Sequence, residues 1–244
     1  MSAGWRWRDG WAVLPEWEKR FGVTARVTGA ARGDMKNTRD FSRALKNAGL
    51  APGRWAGGRQ THGTRVGFVH RPTAPHERPD TDALWTARRG LALRVFAADC
   101  APVFLLDVKG RRAGLVHAGR RGTVDGILDR AVAAWRRRWG GRPSDLLMAV
   151  GPHIRDCCYE VGEEVAREFA GTPDAAVRGR NGRPRLSLAR ALGRQASRMG
   201  VRVVADAPWC TACDHRFHSY RRQATDRRQA AILCLNEDPH DKGQ

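Results

Sequence analysis

The chain has 244 residues, enough for one large domain or two small halves sharing a core. No uninterrupted apolar run approaches the roughly 20 residues that cross a bilayer, which excludes a membrane-spanning helix. The net charge of +19 comes almost wholly from arginines scattered along the sequence rather than gathered in a basic tail; it lends weak support to an anionic substrate and reads mainly as a solvated surface, so nucleic acid is not the expected partner.

The first residues, MSAGWRWRDGW, are broken by charges and lack the apolar stretch of a signal peptide, so a cytoplasmic protein is expected. In that compartment six cysteines act as reduced thiols or metal ligands rather than disulfides.

In chain order, residues 34–50 predict a helix with Phe41, Leu45 and Ala48 on one face and Gly49 as the stop. A strand follows the Pro52-Gly53 turn at about 54–59, and GTRVGFVH (63–70) alternates as a half-buried strand. Residues 71–81 read as an exposed loop. LALRVFAAD, PVFLLDVKG and RAGLVHAG predict strands, the last two antiparallel neighbours across Lys109-Gly110. TVDGILDRAVAAWRRRWG is a helix closed by Gly140, with Ile127, Ala131, Ala134 and Trp135 at helical spacing. LLMAVGPHI is a strand leading to a helix at 162–170. Residues 172–184 form a Pro/Gly/Arg-rich loop, LSLARALGRQASRMG an amphipathic helix, and VRVVADAPW and RRQAAILCL strands; the polar tail from Asn236 is expected to fray. This mixture predicts an α+β fold with mixed sheets in one domain.

Three blocks carry reactive side chains at element ends. Gln60-Thr61-His62-Gly63 sets an imidazole beside a glycine that lets backbone approach closely. Ala98-Asp99-Cys100-Ala101-Pro102 wedges a polar pair between apolar strands, which is costly unless the pair has partners or a task. His117-Ala118-Gly119-Arg120-Arg121-Gly122 joins a strand to a helix. Two imidazoles and a thiolate, His62, Cys100 and His117, make a candidate catalytic zinc set with a fourth position for water or substrate. A metal-free alternative uses the same residues, with Cys100 as nucleophile, His117 as base and Asp99 or Gln60 as orienter. Long-range spacing leaves both open, beside a buried structural Cys with hydrogen-bonded histidines.

Cys210-Thr211-Ala212-Cys213 is a lone CxxC that could be redox-active, half a zinc site or neither. Joined to Cys157 and Cys158 it would supply four thiols for a second, structural zinc, although adjacent cysteines are awkward joint ligands. His153 reads as shaping a turn, His215 and His218 as flanking Phe217 in a polar loop within reach of substrate, and His70, His76 and His240 as surface residues. The block RFHSYRR (216–222) has arginine forks and aromatic rings suited to an anion and a base, or to a solvated basic loop. Neither a Walker A motif nor a strand-linked GxGxxG is present.

Taken in order, QTHG (60–63), TDALWT (81–86), ADCAPV (98–103), HAGRRGT (117–123), VGPHI (150–154), CCYEVG (157–162) and CTAC with RFHSYRR (210–222) resemble the YfiH-like family of laccase-domain proteins. The resemblance spans a motif-bearing core at about 55–235 and leaves a divergent, shortened N-terminal segment, 1–54. It implies a four-layer α/β/β/α sandwich with mixed sheets, like that of cysteine-hydrolase toxins, and zinc held by His62, Cys100 and His117. Copper is the alternative ion, but eight His and six Cys are too few for a multicopper laccase site.

The implied activity is phosphorolysis of adenosine, inosine and S-methyl-5′-thioadenosine, with adenosine deamination beside it. The expected partners are therefore nucleoside and phosphate, acting on a monomer. Catalytic candidates are Cys100, His117, His62 and Asp99, the last to orient His117 or hold a ribose hydroxyl. Gln60, Arg121, Tyr220 and Arg221 are the candidate substrate and phosphate contacts. Two alternatives stand beside this reading: an amidase editing cell-wall precursors, and a basic nucleic-acid binder with a structural metal. Two departures from the family pattern, Arg120 where Trp is usual and the missing STR-x-GGVS element around TARVTGAARGD (24–34), imply an altered or open part of the pocket.

Overall fold

The computed structural model describes residues 4–71 and 77–237. Among them, strands that are mostly buried along their length build two mixed sheets. The first holds β1 (Arg6–Arg8), β2 (Trp11–Val13), β3 (Val23–Thr28), β4 (Trp55–Gly58), β6 (Glu77–Arg78), β8 (Ala92–Ala97) and β15 (Gln229–Leu235), in the spatial order β1-β2-β3-β15-β8-β4-β6. The second holds β5 (Val66–Val69), β7 (Ala83–Thr86), β9 (Ala101–Asp107), β10 (Arg112–Ala118), β11 (Leu146–Val150) and β14 (Arg202–Asp206), in the order β14-β11-β9-β10-β7-β5.

Period-two side-chain alternation decides which face meets which layer. Ala25, Val27, Leu93, Val95 and Leu233 from the first sheet share a core with Phe104, Leu106, Leu115 and Ala149 from the second. Their neighbours in sequence turn the other way. Ala92, Ala230 and Ile232 pack with Phe41, Ala44 and Leu45 of helix α2 (Thr38–Asn47). Val103, Leu105, Val116 and Met148 pack with α4 (Ile127–Trp139) and α6 (Leu188–Met199) through Ile127, Ala131, Trp135 and Leu192. Strands β9 and β15 are buried on both faces, which is why they read as unbroken apolar runs. Removing one such side chain, as in Leu105→Ala, costs about 2–5 kcal/mol.

The expected α2 forms, capped by Asn37, whose side-chain oxygen accepts N–H groups from Arg39 and Asp40 at 2.9 and 3.2 Å. Strands β9 and β10 are antiparallel as expected. The single helix expected after His117 is two: α3 (Arg120–Val124) and α4, separated by Gly126, whose φ of 79° breaks the helical path. The expected loop 172–184 instead carries a small hairpin, β12 (Ala176–Arg178) with β13 (Pro184–Leu186), turning near Gly182 at φ 76°. Arginine-rich composition masked that alternation. Part of the expected loop 71–81 is β6. Residues 72–76, with His76, and the tail from 238, with His240, lie outside the described residues.

The N-terminal segment is also more than a relic. Helix α1 (Pro15–Phe21) packs beside β3, and β3 pairs with β15 near the middle of the first sheet. Further along the same segment, Asp34 Oδ1 accepts the N–H of Arg228 at 3.0 Å. No helix among the described residues is long and apolar enough to cross a membrane.

Candidate active site

The site forms where the chain crosses between sheets. Strand β8 of the first sheet leads directly to β9 of the second, and the crossing turns on Asp99 at φ 88°. Cys100 is the residue after that turn. On β10, His117 pairs with Pro102 and Ala118 with Ala101, which brings the end of β10 beside Cys100. His62, held in the left-handed region at φ 59°, approaches from the loop after β4.

Asp82, fully buried at the start of β7, holds these segments together. One oxygen lies 2.8 Å from His117 Nδ1 and accepts the His62 N–H at 3.0 Å. The other accepts the N–H groups of Thr61 and Gly63 at 3.0 and 3.1 Å. Three consecutive amides thus wrap one carboxylate, which offsets the cost of the positive φ at His62. The Asp82 backbone carbonyl also accepts the His117 N–H at 2.7 Å.

The donor atoms of His62, Cys100 and His117 lie within 4.8 Å of one another and form a set that could hold a metal ion. With Nδ1 committed to Asp82, Nε2 is the nitrogen His117 has free for a ligand, the usual arrangement for a metal-binding histidine. Gly119 makes the space. A Cβ there would stand 2.9 Å from His62 Cδ2 and 3.0 Å from Cys100 Sγ.

Neighbouring side chains also shift the titration of Cys100, His117 and Asp82. Burial alone would raise the Cys100 thiol, but the charge of His117 and hydrogen bonds from His117 and His62 bring it down to about 6. Burial would lower His117, but the Cys100 thiolate and the Asp82 carboxylate raise it to about 9. For Asp82 itself, burial is outweighed by the bonds from His117, Thr61 and Gly63, which hold it below the usual carboxylate range.

These groups open into a cavity of ≈ 570 Å³. Tyr220, 59% exposed, and Arg221 line it as expected, and so does Gln60. Both ends of the Gln60 amide, however, are taken by the backbone of Phe96, at 2.7 and 2.8 Å, so Gln60 shapes the wall.

Asp99 does not orient His117; Asp82 does. The Asp99 carboxylate instead accepts Thr211 Oγ1 at 2.6 Å, Ser219 Oγ at 3.1 Å and the Arg221 N–H at 2.7 Å. It thereby anchors the cysteine-rich turn and the start of helix α7 (Tyr220–Gln223) to the crossing. Arg121 is exposed on α3 and does not line the cavity. Arg120, where the family usually carries Trp, pairs with Glu168 at 2.7 Å.

Most of the RFHSYRR block is structural. Arg222 spends its guanidinium on the carbonyls of Thr211, Ala212, Asp214 and Phe217. Arg216 pairs with Asp214 and stacks on Trp7 and Trp209. His215 and His218 line a separate depression, and His218 Nε2 bonds the Gly33 carbonyl at 3.2 Å. His153 is buried in a turn, its Nδ1 2.9 Å from the Gly151 carbonyl, as expected. Sequence reasoning missed Asp82, although TDALWT was singled out, and missed Lys36, Arg59 and Arg228 on the cavity wall. An acidic residue immediately before the short apolar strand Ala83–Thr86 was the available signal for Asp82.

A family model described as "Multi-copper polyphenol oxidoreductase laccase" matches residues 26–236, nearly the whole chain. The chain belongs to this laccase-domain, YfiH-like family. Within it, a purine nucleoside phosphorylase of Streptomyces coelicolor is 37% identical over 211 residues, covering 85% of this chain and 87% of that protein. A purine nucleoside phosphorylase of Streptomyces griseus is 38% identical over 196 residues, covering 80% and 79%. The crystal structure of YfiH from Bacillus licheniformis superposes with a TM-score of 0.86 at 25% identity, covering 95% of this chain and 99% of that one. For this member of the YfiH-like family, the match to YfiH carries the α+β fold with its mixed sheets.

Proposed function

We propose that this YfiH-like protein is a zinc-dependent purine nucleoside phosphorylase acting on adenosine, inosine and S-methyl-5′-thioadenosine, with adenosine deamination as a side activity. The observation that carries the reading is the convergence of His62, Cys100 and His117, braced by Asp82, on a cavity lined by rings and cations. Two relatives named for this activity support it. We read the three apolar clusters as the seams of a four-layer α/β/β/α stack of the cysteine-hydrolase type. A cytoplasmic setting accords with the free state of all six cysteines.

Two imidazoles and a thiolate suit zinc, whose tetrahedral preference leaves one position for water or substrate. Zinc held there supplies Lewis acidity beside the substrate. The chain's own residues do the rest. Phe96, Ile154, Tyr159 and Tyr220 offer apolar and aromatic surface for a purine. Arg221, Lys36 and Arg228 bring positive charge to the same cavity, where phosphate must be held against the ribose. In phosphorolysis a phosphate oxygen bonds to ribose C1′ as the C1′–N9 bond breaks. The electron pair leaves with the purine, which takes up a proton. With Nδ1 held by Asp82, His117 would meet that zinc through Nε2.

A second reading is favoured by one observation. Asp82, His117 and Cys100 line up as orienter, base and nucleophile, the arrangement of a cysteine amidase acting on cell-wall precursors. The deciding experiment incubates zinc-loaded protein with each of the three nucleosides and phosphate, beside an amide substrate. Free base and ribose 1-phosphate (or its methylthio counterpart) support the phosphorylase. Amide cleavage without base release, retained after zinc is removed, overturns it in favour of the amidase.

A further inference from the structure

Four of the six cysteines lie outside the catalytic site yet meet at one point. Cys157 and Cys158 belong to a turn in which Cys158 N–H bonds back to the Arg155 carbonyl at 2.9 Å. Cys210 and Cys213 come from the connection between β14 and α7, 55 residues away from Cys158 in the case of Cys213. All four sulfurs lie within 4.8 Å of one another, with Cys157 to Cys213 at 3.6 Å and Cys158 to Cys213 at 3.1 Å. A zinc ion with four sulfurs at its usual bond length sets them about 3.8 Å apart, so the cluster needs only small adjustments to close on one. From these distances we propose that Cys157, Cys158, Cys210 and Cys213 form a second, structural zinc site that ties the two turns together. The reading is independent of what the catalytic cavity turns over.

The surroundings match a thiolate cage. Cys210 Sγ accepts the Arg155 N–H at 3.3 Å, a bond that favours a charged sulfur. Burial and then the neighbouring sulfurs push Cys158 up to about 12, and Cys157 is raised for the same reasons. A divalent ion removes that repulsion and displaces the thiol protons as the sulfurs become ligands. Adjacency of Cys157 and Cys158 is no obstacle, because their turn lets both sulfurs approach Cys213.

The place has consequences for the cavity. Arg221, which lines it, donates to the carbonyls of Cys158 and Glu160 at 3.2 and 2.9 Å. Thr211, inside the CxxC, bonds Asp99 at 2.6 Å, next to Cys100. Metal at the four-cysteine site therefore braces the wall behind the catalytic residues.

The test uses the full chain carrying Cys100→Ala, which removes a donor from the catalytic set and isolates the second site. Reduced, metal-free protein is titrated with cobalt(II). One equivalent giving sulfur-to-metal charge-transfer and tetrahedral d–d bands, displaced by zinc, is expected. Those bands should be lost on adding Cys213→Ser and, separately, Cys157→Ser, both at exposed sulfurs, with circular dichroism showing each variant folded. Absence of a saturable cobalt spectrum in the Cys100→Ala chain overturns the proposal. So does its persistence in either folded serine variant, or a Cys158–Cys213 disulfide in metal-free protein purified under reducing conditions. Failure of nucleoside turnover leaves this result untouched.

Discussion

Asp82 and His117 are joined twice, by side chains through Oδ1 and Nδ1 at 2.8 Å and by backbone through the His117 N–H donating to the Asp82 carbonyl at 2.7 Å. The side-chain bond fixes which nitrogen His117 presents to a metal, while the same carboxylate shapes the His62 loop. Asp82→Asn keeps the size and loses the charge. Zinc affinity should fall roughly 10–100-fold, the usual effect of losing a group that orients a metal-binding histidine. Competition with a chromophoric chelator measures it, and unchanged affinity would show that Asp82 is only a structural brace.

Gly119 is the close-approach point of the site. In Gly119→Ala the new methyl would press on His62 Cδ2 at 2.9 Å and Cys100 Sγ at 3.0 Å. Turnover should fall on the order of 100-fold through misplacement of the donors, with little change in the unfolding transition. Initial rates and thermal melts of the same preparation separate the two effects.

Cys100 in metal-free protein should react with iodoacetamide along a curve centred near pH 6, because the charge of His117 favours the thiolate. The sign follows from that cause. Replacing His117 by Gln removes the favourable charge and leaves burial, so the midpoint should move up toward or beyond the ordinary thiol range. Bound zinc should protect Cys100 at every pH at which it stays bound. Peptide mass spectrometry of the labelled chain, which separates Cys100 from the other five cysteines, reads all three outcomes.

The two arginines expected to hold phosphate part company in the structure. Arg221 lines the cavity and Arg121 does not. Arg221→Ala should raise KM for phosphate by an amount equivalent to about 1.5–3 kcal/mol, the worth of a charged hydrogen bond. Arg121→Ala should leave KM and kcat near their starting values. Equal effects from the two substitutions would place the phosphate elsewhere.

The contrast between Arg121 and Arg221 shows what could be read before the structure and what could not. His62, Cys100 and His117 were legible because each lies within two residues of a glycine or proline at an element end, and the family's motif order repeats them. The strands were legible where both faces are apolar, as in β9 and β15. Asp82 was not, since its meaning lies in a bond to a residue 35 positions away. Of the two roles expected for Asp99, orienting His117 fails for a related reason: beside Cys100 in sequence, its side chain turns instead toward Thr211, Ser219 and Arg221. The break at Gly126 and the hairpin around Gly182 were hidden by flanks that satisfy helix or loop composition equally well.

The central claim is that His62, Cys100 and His117 together hold the zinc beside which nucleosides react. Anomalous diffraction at the zinc edge, from crystals of protein purified without chelator, tests it most directly. The account predicts a peak within bonding distance of both imidazoles and the Cys100 sulfur, lost in Cys100→Ala. A zinc-containing crystal with no peak between those three side chains would contradict it.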